Sequence, residues 1–112
     1  MARKFELKKS KNDKFHFNLL AGNGQIILTS EMYEAKASAL NGIESVKKNG
    51  GDAARYEKLT GKDGSPYFVL KATNGQVIGQ SQMYSGEAAR DNGIQSCITN
   101  APGASTTDLS AA

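Results

Sequence analysis

One stretch of this chain occurs twice. Phe17-Asn18-Leu19-Leu20-Ala21-Gly22-Asn23-Gly24-Gln25-Ile26-Ile27 leads into Ser30-Glu31-Met32-Tyr33, and 51 residues later Phe68-Val69-Leu70-Lys71-Ala72-Thr73-Asn74-Gly75-Gln76-Val77-Ile78 leads into Ser81-Gln82-Met83-Tyr84. The same offset matches Glu6 to Glu57, Asn41-Gly42-Ile43 to Asn92-Gly93-Ile94, and Ser45 to Ser96, with no gap. Roughly 18 of about 46 aligned positions from Phe5 to Gly50 are identical. One supersecondary unit is therefore built twice, and the fold has to be something that two such units make together. Repeat 1 spans about 3–51, repeat 2 about 54–103, and 104–112 forms a tail.

At 112 residues the two repeats fit one small domain with one modest core. No apolar run approaches the roughly 18 residues of a membrane-crossing helix. The N-terminus passes from Arg3-Lys4 straight into a strand pattern, without an apolar signal region. Cys97 is the only cysteine, so no internal disulfide can form. These features predict a cytoplasmic protein with no membrane association.

Along repeat 1, Phe5-Glu6-Leu7-Lys8 alternates with the period of a half-buried strand. Ser10 to Lys14 makes a turn, and Phe15 to Ala21 resumes the strand pattern. Asn23-Gly24 signals a hairpin, because a two-residue type I′ loop needs positive φ at both positions. In that register Ala21 faces Ile26 and Leu19 faces Leu28, and the core face holds Phe17, Leu19, Ala21, Ile26 and Leu28. A three-residue loop would exchange Ile26 for Ile27, and the sequence leaves both open. From about Glu34 to Asn49 the period becomes helical, with Ala35, Ala39, Gly42, Ile43 and Val46 on one stripe. Ser30 or Glu34 is positioned to cap its start, and Asn49-Gly50-Gly51 stops it. Gly42 and Gly93 fall on the buried stripe, where close approach of helix and sheet would explain them.

Repeat 2 reads likewise, with strands at Arg55 to Thr60, Tyr67 to Ala72 and Gln76 to Gln80, and a helix over Glu87 to Asn100. Lys58-Leu59 reverses the polarity of Leu7-Lys8, which predicts a bulge or an edge position there. Because repeat 1's helix is followed by a strand at Arg55, repeat logic suggests a terminal strand over Thr106 to Leu109.

The paired F-x-L-x-A-x-N-G-Q, S-x-M-Y and N-G-I-x-S motifs make the chain resemble the YegP-like family of small bacterial proteins of uncharacterised function. The resemblance implies an α+β fold of two tandem β-β-β-α-β units sharing one antiparallel sheet, with the helices packed on one face. Each unit's last strand would complete the other. It also implies that no activity or ligand is assigned. Two repeats in one chain supply each other with what a single-repeat chain would gain by dimerising, so a monomeric pseudo-dimer is expected.

Residues that could carry chemistry are few. His16 is the only histidine, which excludes a histidine metal cluster and any His–His pair. Cys97 aligns with Val46 on the buried stripe and reads as core, not as a nucleophile paired with His16. Gly22-Asn23-Gly24 precedes a strand where a phosphate loop needs a helix. Glu6 and Glu57 sit on strands, where pairing with lysine is their ordinary role. Ser30, Met32 and Tyr33 recur as Ser81, Met83 and Tyr84, and read as a cap and a core rim with the tyrosine hydroxyl outward. No catalytic residues, metal or cofactor are expected, and an enzyme is not predicted.

Charge leaves a binding role open. Residues 1–51 hold nine Lys/Arg against five Asp/Glu (+4), and residues 52–112 hold five against six (−1). The excess at Arg3, Lys4, Lys8, Lys9, Lys11 and Lys14 suits either phosphates or protection of an edge strand, and edge protection is favoured. The candidate binding face is Lys8, Lys9, Lys11, His16, Tyr67 and Lys71 on the sheet side away from the helices. The leading reading is a non-catalytic binding or interaction module whose partner the sequence does not name, a protein or a second copy of the chain fitting equally well. A weak single-stranded nucleic-acid binder is the alternative.

Overall fold

The computed structural model describes residues 3–110. Strands β1 (Lys4–Lys9), β2 (Phe15–Leu20) and β3 (Ile26–Thr29) precede helix α1 (Lys36–Asn49). A short 3-10 turn (Ala53–Arg55) leads to β4 (Tyr56–Thr60), β5 (Pro66–Lys71) and β6 (Val77–Gln80). Helix α2 (Glu87–Asn100), a second 3-10 turn (Ala101–Gly103) and β7 (Ser105–Asp108) complete the chain. All seven strands form one sheet in the order β4-β5-β6-β3-β2-β1-β7.

The architecture is α+β, two β-β-β-α-β units in one seven-stranded sheet, with β4 shared as the last strand of the first unit and the first strand of the second. Strand β4 follows α1 of the first unit yet pairs with β5 of the second, and β7 follows α2 yet pairs with β1. Each unit's last strand thus completes the other. Neighbouring strands are antiparallel except β1 and β7, which are parallel. A short hairpin loop forces antiparallel pairing, whereas β7 arrives after a helical crossover that permits either direction. The terminal strand lies one residue earlier than the expected Thr106–Leu109.

Both helices cover the same face. Phe5, Leu7, Phe17, Leu19, Leu28, Phe68 and Leu70 of the sheet meet Ala39, Ile43, Val46, Ile94 and Cys97 of the helices in one cluster. Helix α2 starts and ends where its period predicts, and α1 starts two residues later than Glu34. Neither Ser30 nor Glu34 caps α1: its N-cap is Ala35, with no side-chain hydrogen bond. Ser30 Oγ instead accepts from the Phe17 N–H at 2.9 Å and donates to the Glu31 carbonyl at 2.8 Å. These bonds fix it at the β2–β3 junction, six residues before α1 begins at Lys36.

The hairpin loop has three residues, not two. The Ala21 N–H donates to the Gln25 carbonyl and the Gly24 N–H to the Ala21 carbonyl, both at 2.9 Å. Only Gly24 takes positive φ, at 86°. This is a type I turn closed by a left-handed glycine, which positions Leu20 opposite Ile26. A bulge at Ile27 then restores Leu19 opposite Leu28. Ile26 therefore leaves the core and is 46% exposed, while Ile27 enters it at 7%. Val77 and Ile78 repeat the exchange.

The glycines on the helices make room for tyrosines. A Cβ at Gly42 would lie 2.5 Å from Tyr33 Oη and 2.9 Å from Phe17 Cε2. Tyr33 stacks on Phe17 with ring centroids 6.3 Å apart, and Tyr84 on Phe68 at 6.2 Å. Close approach to the sheet is part of the reason, but the tyrosine ring wedged between them is nearer. The tyrosine hydroxyl points over the helix, not outward. Met32 and Met83 are about half exposed, so they do not form the core rim.

Candidate binding face

Alternation along the strands settles which side chains face away from the helices. With Phe17 and Leu19 in the core, His16, Asn18 and Leu20 of β2 lie on the free face. The same parity turns Lys4, Glu6 and Lys8 of β1, and Tyr67, Val69 and Lys71 of β5, to that face. Leu20 and Val69 are buried there even though they stand outside the core cluster.

The six residues singled out from the sequence do not form one patch. Lys8 lies directly opposite His16 in the β1–β2 ladder. Tyr67 and Lys71 share β5, three strand steps from β2, or about 14 Å at the usual strand spacing. Lys9 has the parity of Leu7 and faces the helix side, its ammonium 5.9 Å from the Phe15 ring centroid. Lys11 sits in the exposed turn between β1 and β2.

Electrostatics weaken the basic character further. Glu6 lies 3.3 Å from the Lys4 ammonium and 3.9 Å from that of Lys8. Asp13 takes Lys9 at 3.6 Å, Glu34 takes Lys14 at 3.3 Å, and Glu57 pairs with Lys71. Glu57 thus has the cross-strand role expected of it, whereas Glu6 pairs along its own strand, with the lysines two residues to either side. Burial and the nearby Lys8 hold the His16 pKa below its ordinary value, and its Nδ1 is buried without a hydrogen-bond partner. A neutral imidazole at pH 7 adds no charge to the face.

Chemistry of the nucleophilic kind has no footing at Cys97. The residue is fully buried on the helix side, with the sheet between it and His16. Burial pushes its thiol up to about 12, far from the thiolate a nucleophile needs. Its Sγ lies 3.6 Å from the Ile27 carbonyl. Among the described residues no group of three or more His, Cys, Asp and Glu could hold a metal ion, and no helix is long and apolar enough to cross a membrane.

The sequence did not point to the middle of the sheet. There β3 and β6 pair at a single position, Thr29 with Gln80. An open cleft of about 480 Å³ forms where the two repeats meet, lined by Ile26, Thr29, Glu31 and Met32 from one and Gln80 and Gln82 from the other. Exposed Ile26 and Val77 stand on the two strands that meet there. The recurrence of S-x-M-Y was the available signal, but only the pairing of β3 with β6 brings its two copies together.

The sequence matches the domain of unknown function DUF1508 twice, over residues 10–57 and 62–108. A UPF0339 protein of Bordetella pertussis is 62% identical over 89% of this chain and 90% of its own length. The solution NMR structure of a UPF0339 protein from Shewanella oneidensis is 55% identical, with a TM-score of 0.91 over 98% of this chain and 93% of that one. The solution NMR structure of yegP from E. coli, described as a protein of unknown function, is 47% identical, with a TM-score of 0.93 over 100% of this chain and 97% of that one.

Proposed function

The chain belongs to the DUF1508 family, and from that premise we propose that it is a non-catalytic binding module whose helix-free sheet face receives a partner protein. The observation that carries this reading is the pair Ile26 and Val77. Both are β-branched apolar residues, 46% and 36% exposed, at equivalent positions of the two repeats, and Ile26 lines the central cleft. The bulge at each hairpin leaves both exposed to solvent. A partner that covers them removes apolar surface from water. Paired carboxylates beside Lys4, Lys8 and Lys71 make single-stranded nucleic acid the weaker alternative.

In this reading the chain acts as a monomer, its repeats supplying each other's pairing, and sedimentation equilibrium should return a mass near 11.9 kDa. The partner is tested with a photo-crosslinking side chain at Thr29 or Gln80 on the free face, and at Lys48 on the helix side as control, in living bacteria. Protein adducts from Thr29 and Gln80 but not from Lys48 are expected. Equal adducts from all three positions, or none, would overturn the reading, and RNA adducts would promote the alternative.

A further inference from the structure

The two outer edges of the sheet are unlike each other although the units are repeats. On one side β7 covers β1 from Lys4 opposite Ser105 to Leu7 opposite Asp108, and the Leu109 N–H donates to the Leu7 carbonyl at 2.8 Å. Phe5 and Leu7 are fully buried there. On the other side β4, the counterpart of β1, pairs with β5 and ends the sheet. Its Tyr56 and Lys58 occupy the positions of Phe5 and Leu7, but Tyr56 is only half-buried and Lys58 is exposed. Beside them an open groove of about 380 Å³ is lined by Ala53, Tyr56, Lys58, Asp91, Ile94 and Gln95.

We propose that this edge is a docking site for an extended segment of a partner protein, laid parallel to β4 as β7 is laid parallel to β1, with small hydroxyl side chains and an acidic residue facing Lys58. The molecule itself shows what covers such an edge: on the equivalent strand it is a four-residue parallel segment, Ser-Thr-Thr-Asp. In that register Asp108 stands opposite Leu7, whose counterpart is Lys58, so a carboxylate carried to β4 meets an ammonium. Lys58 now rests 3.3 Å from Asp91, half-exposed, and can share its charge with an incoming acid. The same lysine disfavours pairing of two β4 edges, since like charges would approach, and the β7 of a second copy is already held on its own β1, which together select a different chain. Strand addition to a free edge supplies main-chain hydrogen bonds for affinity, and the side-chain positions supply selectivity. The proposal does not depend on the helix-free face binding anything.

The probe is a capped peptide of residues 104–109, Ala-Ser-Thr-Thr-Asp-Leu, titrated into the full-length isotope-labelled chain. Amide shifts and slowed hydrogen exchange are expected within Tyr56–Thr60, with saturation by millimolar peptide. Lys58→Glu, checked for an unchanged fold by its remaining amide spectrum, should weaken binding about threefold or more, and the peptide with Lys in place of Asp should bind the parent equally poorly. Shifts confined to β1 and β7, no shift at millimolar peptide, or binding indifferent to Lys58→Glu would each overturn the proposal.

Discussion

Thr29 pairs with Gln80, and Gln80 is its own counterpart 51 residues further along. Antiparallel pairing of a residue with its repeat equivalent defines a local two-fold axis perpendicular to the sheet. That axis carries α1 onto α2 without changing face, so both helices fall on one side and the other stays uncovered. It is the interface a homodimer of one unit would use, closed within a single chain.

The tyrosine over each glycine is tested by a double-mutant cycle. Gly42→Leu should overpack against Tyr33 and Phe17 and lower stability in urea by about 1–3 kcal/mol. Gly42→Ala placed in a Tyr33→Leu background should instead gain up to about 1 kcal/mol, the helix propensity that glycine forgoes. A cost for alanine that persists without the tyrosine ring would show that Phe17 alone sets the glycine.

Ser30 and Ser81 are predicted to be structural. Each accepts from a buried backbone N–H, of Phe17 at 2.9 Å and of Phe68 at 3.0 Å. Ser30→Ala or Ser81→Ala leaves that N–H without a partner and should cost about 1–3 kcal/mol in chemical unfolding. A variant as stable as the parent would mean that another acceptor replaces the hydroxyl.

Docking of β7 should depend on pH at the acid end. Hydrogen bonds from Lys36 and then from Ser110 hold the Asp108 carboxyl down at about 2, below its ordinary 3.8. A carboxyl depressed on folding contributes stability that is present above its unfolded value and is lost as pH falls through its folded one. The β7 amides should therefore lose exchange protection between about pH 4 and pH 2, before those of β2. Lys36→Met should raise the Asp108 midpoint, read from its carboxyl carbon shift, toward the ordinary value. An unchanged midpoint would assign the effect to Ser110.

The expected edge protection by the first strand does not hold, because β7 covers β1 on the side away from β2. With Lys4 and Lys8 paired to Glu6 and Lys9 to Asp13, the strand is predicted not to bind nucleic acid either. Fluorescence anisotropy with labelled single-stranded RNA should give no submicromolar affinity, and Lys8, Lys9 and Lys11 changed together to Gln should leave that result as it is. Phosphate contacts would instead appear as a log–log salt slope of about −0.7 for each phosphate neutralised. A steep slope in the parent that flattens in the triple variant would reverse the prediction.

Much of this molecule was legible in the order of its residues. The offset of 51, the alternation in Phe5–Lys8 and Phe15–Leu20, and the helical period over Glu87–Asn100 gave the elements and their duplication, because those patterns are local. Polarity reversed at Lys58-Leu59 marked β4 as an edge, which it is, without a bulge. Arg90 was missed. It occupies the position of Ala39 on the buried stripe, where its guanidinium reaches Glu87 at 3.5 Å and Asp91 at 3.2 Å. A long cation at such a position gives no local sign that neighbours on its own helix will pair with it.

The candidate face was legible only as a list of residues. Lys8, His16, Tyr67 and Lys71 share a side because strand parity is local, but their division into two patches follows from β3 and β6 lying between them. The sequence by itself determined the unit, its repetition and the parity of most strands, since each rests on contacts within a few residues. Tertiary structure decided the rest: the turn of Ile26 outward at a bulge, the pairing of Thr29 with Gln80, and the covering of β1 but not β4. These depend on which distant segments meet, and a local pattern does not place the last strand on either edge; Lys58 in the place of Leu7 was the one local sign that β4 would stay open. The chain has one terminal strand for two edges, so the symmetry written in the sequence had to break in the fold.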